Sequence, residues 1–262
     1  MVTDDIQLDV TDGVATITMD RPEKLNALSP GIIRGIDLAL DQIADREDTR
    51  CVVVEGAGDA FCAGGDIGGM DDEDQHGHER AADIAEGAKA VVGRLHGFEL
   101  PTIARVDGFC FGAGVGVALA NDVVFASEDA AFSLAFRNVG LTLDYGVSYF
   151  VREAVGPATA KEIALTGEQI SADRADEIGL VNHTYPSDEF DERVEEFVET
   201  VASGPTVALE FSLRNIDRAG DRTLAEAIDA EAEAQVFASE TDDHTEGVTA
   251  FQEDRDPAFE GR

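Results

Sequence analysis

Two glycine-rich passages carry the clearest chemical potential in this chain: FCAGGDIGGM at 61–70 and GFCFGAGVG at 108–116. Each reads as a turn leading from a strand into a helix. Such a turn can simply let helix and strand pack closely. It can also bind an anion, because the first N–H groups of a helix have no intrahelical acceptor. Neither passage matches the GxxxxGKS/T pattern, and neither is followed by an acid placed to hold a ribose as in GxGxxG, which disfavours a nucleotide phosphate cradle. Two separate backbone N–H donors aimed at one point would instead form an oxyanion hole. Other reactive side chains read more plainly. His76 and His78 sit in DDEDQHGHER, a charged, glycine-interrupted stretch expected to be a solvated loop or frayed helix rather than a metal site. Cys62 and Cys110 flank the two turns and read as small buried residues rather than nucleophiles. His96 and His183 have no partner that spacing identifies.

The elements that must position these turns follow from periodicity. Residues 6–10 (IQLDV) and 14–19 (VATITM) alternate around Thr11-Asp12-Gly13, a hairpin signal. Ser29-Pro30 is a helix start, with Ile32, Ile33, Ile36, Leu40 and Ile43 on one stripe after it. CVVVEG at 51–56 is a short continuous apolar run suited to a strand buried on both faces, and TIARVDG at 102–108 and DVVFAS at 122–127 read likewise as strands. A helix of weaker periodicity is expected over 79–97 and a small-residue helix after the second glycine turn. Strands and helices at this density indicate a layered α/β fold. From about residue 189 only helices are expected, at 189–202, 205–219, 223–239 and 244–253, punctuated by Gly204-Pro205 and Ala219-Gly220. The expected division is therefore a core over 1–188 and a helical region over 189–262.

Composition narrows the classes further. The 262 residues carry Lys+Arg 19 against Asp+Glu 55, a formal net charge of −36, yet 44% are hydrophobic, enough for a sizeable core. Nucleic acid and anionic membrane surfaces are disfavoured as partners, because both need a basic face. No run approaches the roughly 20 apolar residues of a membrane span, and the N-terminus MVTDDIQLDV lacks the cationic start and apolar core of a signal peptide. Three cysteines without metal-ligand spacing argue against a disulfide framework or a zinc site. A cytoplasmic setting is the expectation. Acid recurs in blocks along the whole chain (DREDTR, DDED, FDERVEEFVET), which reads as a solvated coat suited to high salt, where the Debye length falls to about 3 Å at 1 M.

RPEKLNALS at 21–29, FCAGGDI at 61–67 and DGFCFGAGVGVALANDVVFAS at 107–127 together resemble the enoyl-CoA hydratase/isomerase (crotonase) family; GEQISADRADEIGLVN at 167–182 and FQEDRDPAF at 251–259 fit it as well. The resemblance covers essentially the whole chain, in order. It implies a crotonase-like spiral of ββα units carrying the acyl-CoA site over 1–188, with a helical C-terminal region that builds trimers, commonly paired into hexamers. It implies that an acyl-CoA thioester is polarised between the backbone N–H groups of Gly65, in Ala63-Gly64-Gly65-Asp66, and Ala113, in Gly112-Ala113-Gly114. Coenzyme A, part of the substrate rather than a separate cofactor, would lie along 63–68. Its contacts would include Ala63, Gly65, Asp66, Ile67 and Gly68, with Ala27 and Lys24 from the early motif and Lys24 as the nearest matched cation for its phosphates. No metal is implied. Lys24 alone could equally be a solvated surface lysine, and Asp66 reads as bracing its turn.

The resemblance also bears on the reaction. Family hydratases hold water between two glutamates, and those positions here fall on Gly116 and Phe136. Without that acid–base pair a plain hydratase is disfavoured. Asp144, in GLTLDYGVSYF, lies where some family isomerases, including dienoyl-CoA and ring-oxepin/enoyl-CoA isomerases, carry their catalytic aspartate. Burial against Phe136, Tyr145 and Phe150 would make it a stronger base. The plain alternative is that Asp144 caps the helix beginning near Gly146. The expected activity is thus an acyl-CoA isomerase. The rivals are a hydratase drawing an acid from the 71–74 cluster, a 4-chlorobenzoyl-CoA-type dehalogenase using Asp144 as nucleophile, and a non-catalytic acyl-CoA-binding protein. The dehalogenases carry a tryptophan where this chain has Phe136, and no tryptophan occurs here.

Overall fold

The computed structural model describes residues 2–66 and 77–262. The chain opens with the expected hairpin, β1 (Ile6–Thr11) antiparallel to β2 (Val14–Met19). Asp12 and Gly13 turn it with φ of 50° and 82°, the double left-handed geometry that an Asp-Gly pair favours. Helix α1 (Pro30–Ala44) then starts as its sequence requires: the Ser29 hydroxyl accepts the Ile32 N–H at 3.1 Å, and proline takes the first position. Its buried face is Ile32, Ile36, Ala39, Leu40 and Ile43, with Ile33 at the margin.

Three units of strand, strand and helix follow. They are β3 (Cys51–Gly56) and β4 (Ala60–Cys62) with α2 (Gly77–Ala88); β5 (Thr102–Val106) and β6 (Phe109–Phe111) with α4 (Ala113–Leu119); and β7 (Val123–Ser127) and β8 (Ala131–Ser133) with α5 (Val147–Thr166). The expected 79–97 helix is composite, since α2 passes through a π turn at Lys89–Gly93 into α3 (Arg94–His96). Short β9 (Ile170–Ser171), α6 (Ala172–Glu177) and β10 (His183–Tyr185) lead to α7 (Phe190–Ala202), α8 (Thr206–Ala219), α9 (Leu224–Ser239) and α10 (Asp242–Glu253). Each unit thus adds one strand to a six-stranded sheet of order β1-β2-β3-β5-β7-β10 and one to a second sheet of order β4-β6-β8-β9. From β2 onward the first sheet is parallel. This is the ββα spiral that the sequence motifs imply.

The apolar runs of β3, β5 and β7 are explained by cover on both faces. Val52, Val54, Ala104, Val106, Val124 and Ala126 point into the main core. Their alternates Cys51, Val53, Ile103 and Phe125 pack beneath Phe190, Val194 and Val198 of α7. The last three helices differ. They bury only Thr206, Ala234, Asp243 and Ala250, while Ile216, Leu224, Ile228, Val236, Phe237 and Phe251 are 53–88% exposed. Among the described residues no helix is long and apolar enough to cross a membrane.

Candidate active site

The early motif RPEKLNALS folds into a loop held by a fully buried Asn26. The Asn26 amide donates to the carbonyls of Ala57 (2.9 Å) and Ala60 (2.7 Å), and its oxygen accepts the Arg21 N–H at 2.8 Å. Buried carbonyls need such donors, so this side chain ties the loop to the end of β3 and the start of β4. The loop then runs beside the first glycine turn. Ala63 N–H donates to Leu25 O (2.9 Å), Leu28 N–H to Gly64 O (2.7 Å) and Asp66 N–H to Leu28 O (3.4 Å). This parallel bridge uses the amides on either side of Gly65, so the Gly65 N–H faces away from it and has no acceptor among the described residues.

The second turn packs directly on the first. Gly64 has φ +96°, and a Cβ there would lie 2.9 Å from Phe111 O and 3.3 Å from Ala113 N. Only glycine fits both that backbone and that separation. Gly112, at φ 54° and ψ −124°, swings the chain into α4, whose first residue is the buried Ala113. The Ala113 N–H, at the helix start, likewise has no acceptor among the described residues. Two glycine turns in van der Waals contact, each with an unpaired N–H, can stabilise negative charge developing on a bound oxygen.

Asp66 braces its turn as expected: its carboxylate meets Arg21 Nη1 at 3.2 Å, and the same guanidinium nitrogen donates to Ala27 O at 3.3 Å. Arg21 and Asn26 are the residues the motif-level reading passed over, although both stand inside RPEKLNALS. Ala27 is buried, whereas Lys24 closes a 3-10 turn (Pro22–Lys24) with an exposed side chain. Ile67, Gly68, the 71–74 acids and His76 lie outside the described residues.

Across from these turns, the position three residues into α4 is closed to any side chain. A Cβ on Gly116 would overlap the carbonyl oxygen of Tyr145. Phe136 is buried, and a Cβ on Gly112 would lie 3.9 Å from its Cζ, so its ring borders the second turn. Asp144 precedes Tyr145 and is half-buried, and its Oδ1 is fully buried without a hydrogen-bond partner among the described residues. Burial raises its pKa above the ordinary 3.8, against a smaller opposing effect of its own backbone N–H. The capping alternative is not what the side chain does. Helix α5 begins at Val147 behind a left-handed Gly146 with no side-chain cap, and only the Asp144 main-chain carbonyl is used, accepting the Val147 N–H at 3.0 Å.

The remaining candidates are structural. All three cysteines are buried and free, and burial pushes the Cys51 and Cys62 thiols up to about 12 and Cys110 well above its usual value, so none is a thiolate at neutral pH. His96 sits edge-on to Tyr149 and Phe150, and His183 stacks on Phe125 at 5.9 Å. Among the described residues no group of three or more His, Cys, Asp or Glu could hold a metal ion.

Comparison with known proteins agrees with this architecture. The family model described as enoyl-CoA hydratase/isomerase matches residues 9–262. The chain is 34% identical to a probable enoyl-CoA hydratase of Rhodobacter capsulatus over 98% of both chains. It is 32% identical to the 1,2-epoxyphenylacetyl-CoA isomerase of Escherichia coli over 97% of both. The crystal structure of a putative enoyl-CoA hydratase/isomerase from Mycobacterium abscessus superposes with a TM-score of 0.92 at 30% identity, covering 98% of this chain and 100% of that one. Spiral, facing glycine turns and full-length similarity agree: the chain belongs to the enoyl-CoA hydratase/isomerase (crotonase) family.

Proposed function

We propose that this enzyme is an acyl-CoA isomerase that shifts a double bond in an enoyl-CoA or a ring-derived CoA ester, with Asp144 as its acid–base group. The observation that carries this reading is the Asp144 carboxylate, partly buried, unpaired at Oδ1 and made more basic by its surroundings. The carboxylate removes a proton from the carbon beside the thioester carbonyl, and the freed electron pair moves onto the carbonyl oxygen. The N–H groups of Gly65 and Ala113 hold that oxyanion, each worth about 10²–10³ in rate for such a donor. The resulting carboxylic acid returns the proton at the far end of the conjugated dienolate. One group suffices for both transfers, so the reaction needs no second carboxylate at Gly116 or Phe136. Coenzyme A lies along Ala63–Asp66; Ile67 and Gly68, its other expected contacts, are outside the described residues. Ala27 and Lys24 stand on its outer side, and Phe136 borders the acyl group.

The closed Gly116 position supports isomerisation over hydration, because no side chain there can share a water with a partner. Relatives carry both kinds of name, as the Escherichia coli isomerase and a short-chain-enoyl-CoA hydratase of Clostridium acetobutylicum, 31% identical, illustrate. The exposed apolar residues of α8–α10 support self-association through that region, as the homotrimer or hexamer that the resemblance implies. The test is to offer the wild-type enzyme 3-hexenoyl-CoA and crotonyl-CoA side by side in molar KCl. Isomerisation of the first should exceed hydration of the second by at least about 10²-fold, the smallest effect expected of a positioned acid–base group. Faster hydration would overturn the assignment.

A further inference from the structure

Asp144 is followed by two consecutive left-handed residues, Tyr145 at φ 47° and Gly146 at φ 71°. With Val147 N–H donating to Asp144 O at 3.0 Å they form a tight turn of the mirror-image kind. Glycine is at home in such a turn, but a bulky aromatic is not, because its Cβ crowds the backbone at positive φ. Strain of this sort persists only where the surroundings over-determine it. Here two glycines supply the surroundings. Gly116, one turn into α4, receives the Tyr145 carbonyl where any Cβ would overlap it. Gly87, near the end of α2, receives the Tyr145 phenol: a Cβ on Gly87 would stand 2.8 Å from Oη. Tyr145 itself is only 9% exposed.

We propose that Tyr145 and Gly116 are positioning residues for Asp144, the left-handed turn seated in the Gly116 and Gly87 sockets being what keeps the carboxylate buried and unpaired. This rests on the isomerase reading and gives Gly116 a role of its own. The position that leaves no room for a hydratase-type glutamate is the one that brings the aspartate in. Among the described residues burial is the largest influence on Asp144, opposed by its own backbone N–H. Burial pushes both the Tyr145 phenol and the Cys62 thiol up to about 12, so neither titrates in the acid range beside Asp144.

The experiment compares Gly116→Ala, Tyr145→Gly and Asp144→Asn for acyl-CoA binding, kcat and the pH dependence of kcat. Tyr145→Gly relieves the strained φ but leaves a core cavity where the ring was, so the folded fraction of every variant is measured by circular dichroism and kcat is referred to folded protein. Each positioning variant should lose about 10²-fold in kcat, the cost of an ångström-scale misplacement, with KM changed less than about threefold. The acid limb of the kcat profile should move to lower pH as the carboxylate gains solvent. A merely structural role would lower the folded fraction without moving that limb. Wild-type kcat and an unmoved acid limb in the folded variants, with Asp144→Asn inactive, would overturn the positioning role alone. Wild-type turnover by Asp144→Asn would instead overturn the isomerase reading beneath it.

Discussion

Helix α4 and the C-terminal helices α8–α10 use small and apolar residues to opposite ends. In α4 six of seven residues are buried, and the contacts are made by backbone: a Cβ on Gly114 would overlap Cys62 O, one on Gly116 would overlap Tyr145 O. Across α8–α10 the apolar side chains are large and face outward, Leu224 at 78% and Phe251 at 88% exposed. The site is thus built where peptide groups touch and no side chain can intrude. The C-terminal helices present large apolar side chains to solvent, which the proposed assembly would cover. If contiguous, these residues would form the kind of patch that marks an interaction surface, as the proposed assembly requires.

Adding one methyl at the touching turns breaks the first half of that contrast. Gly64→Ala should cost about 10²–10³ in kcat, since it both strains φ +96° and pushes the Phe111 carbonyl and the Ala113 N–H away. Single-turnover kinetics with a 3-enoyl-CoA check it, and a wild-type rate would show that the turns need not touch. The second half is broken at the outward face. A Leu224→Ser, Phe251→Ser pair should lower the assembled mass seen by light scattering and leave the far-UV circular dichroism of the core unchanged. Salt sharpens the same point, because 55 acids against 19 bases repel both one another and a polyanionic CoA ester. Raising KCl into the molar range should strengthen assembly and apparent CoA affinity together; a flat or falling response would show that the charge serves another purpose.

Much of this was legible in the residues. Hairpin, Ser29 cap, both-face-buried strands and four C-terminal helices fall where periodicity and turn chemistry put them, because each is decided by neighbours a few positions apart. The second sheet was not legible residue by residue. Its strands β4, β6, β8 and β9 are two or three residues long, too short to show a period, and only the family resemblance implied them. The donor turns could be read, but their mutual contact could not. It depends on Gly64 meeting Phe111 and Ala113 across 47 and 49 positions, a long-range fact with no local signature. Tyr145 illustrates the limit most clearly: an aromatic residue carries no sequence signal for a left-handed backbone, and the capping role that spacing allowed Asp144 yields to the socket at Gly116.

Asp144 also leaves a smaller thermodynamic mark. Its folded pKa lies above the unfolded 3.8, so the native state holds the proton more tightly. The stabilising share is therefore fully present below pH 3.8 and is lost as pH rises through the raised value. Asp144→Asn should accordingly raise the thermal midpoint slightly at pH 7, a gain that disappears below pH 3.8, as differential scanning calorimetry would register.

The most direct measurement of the central claim is the turnover of that same variant. With 3-hexenoyl-CoA at saturating concentration and neutral pH, Asp144→Asn should lose about 10²–10⁴-fold in kcat, the range for a single acid–base group. Its affinity for a non-reactive acyl-CoA should stay within about threefold of wild type, because the proposed binding uses the turns at Gly65 and Ala113 rather than the carboxylate. A variant that binds equally well and isomerises at the wild-type rate would contradict the account.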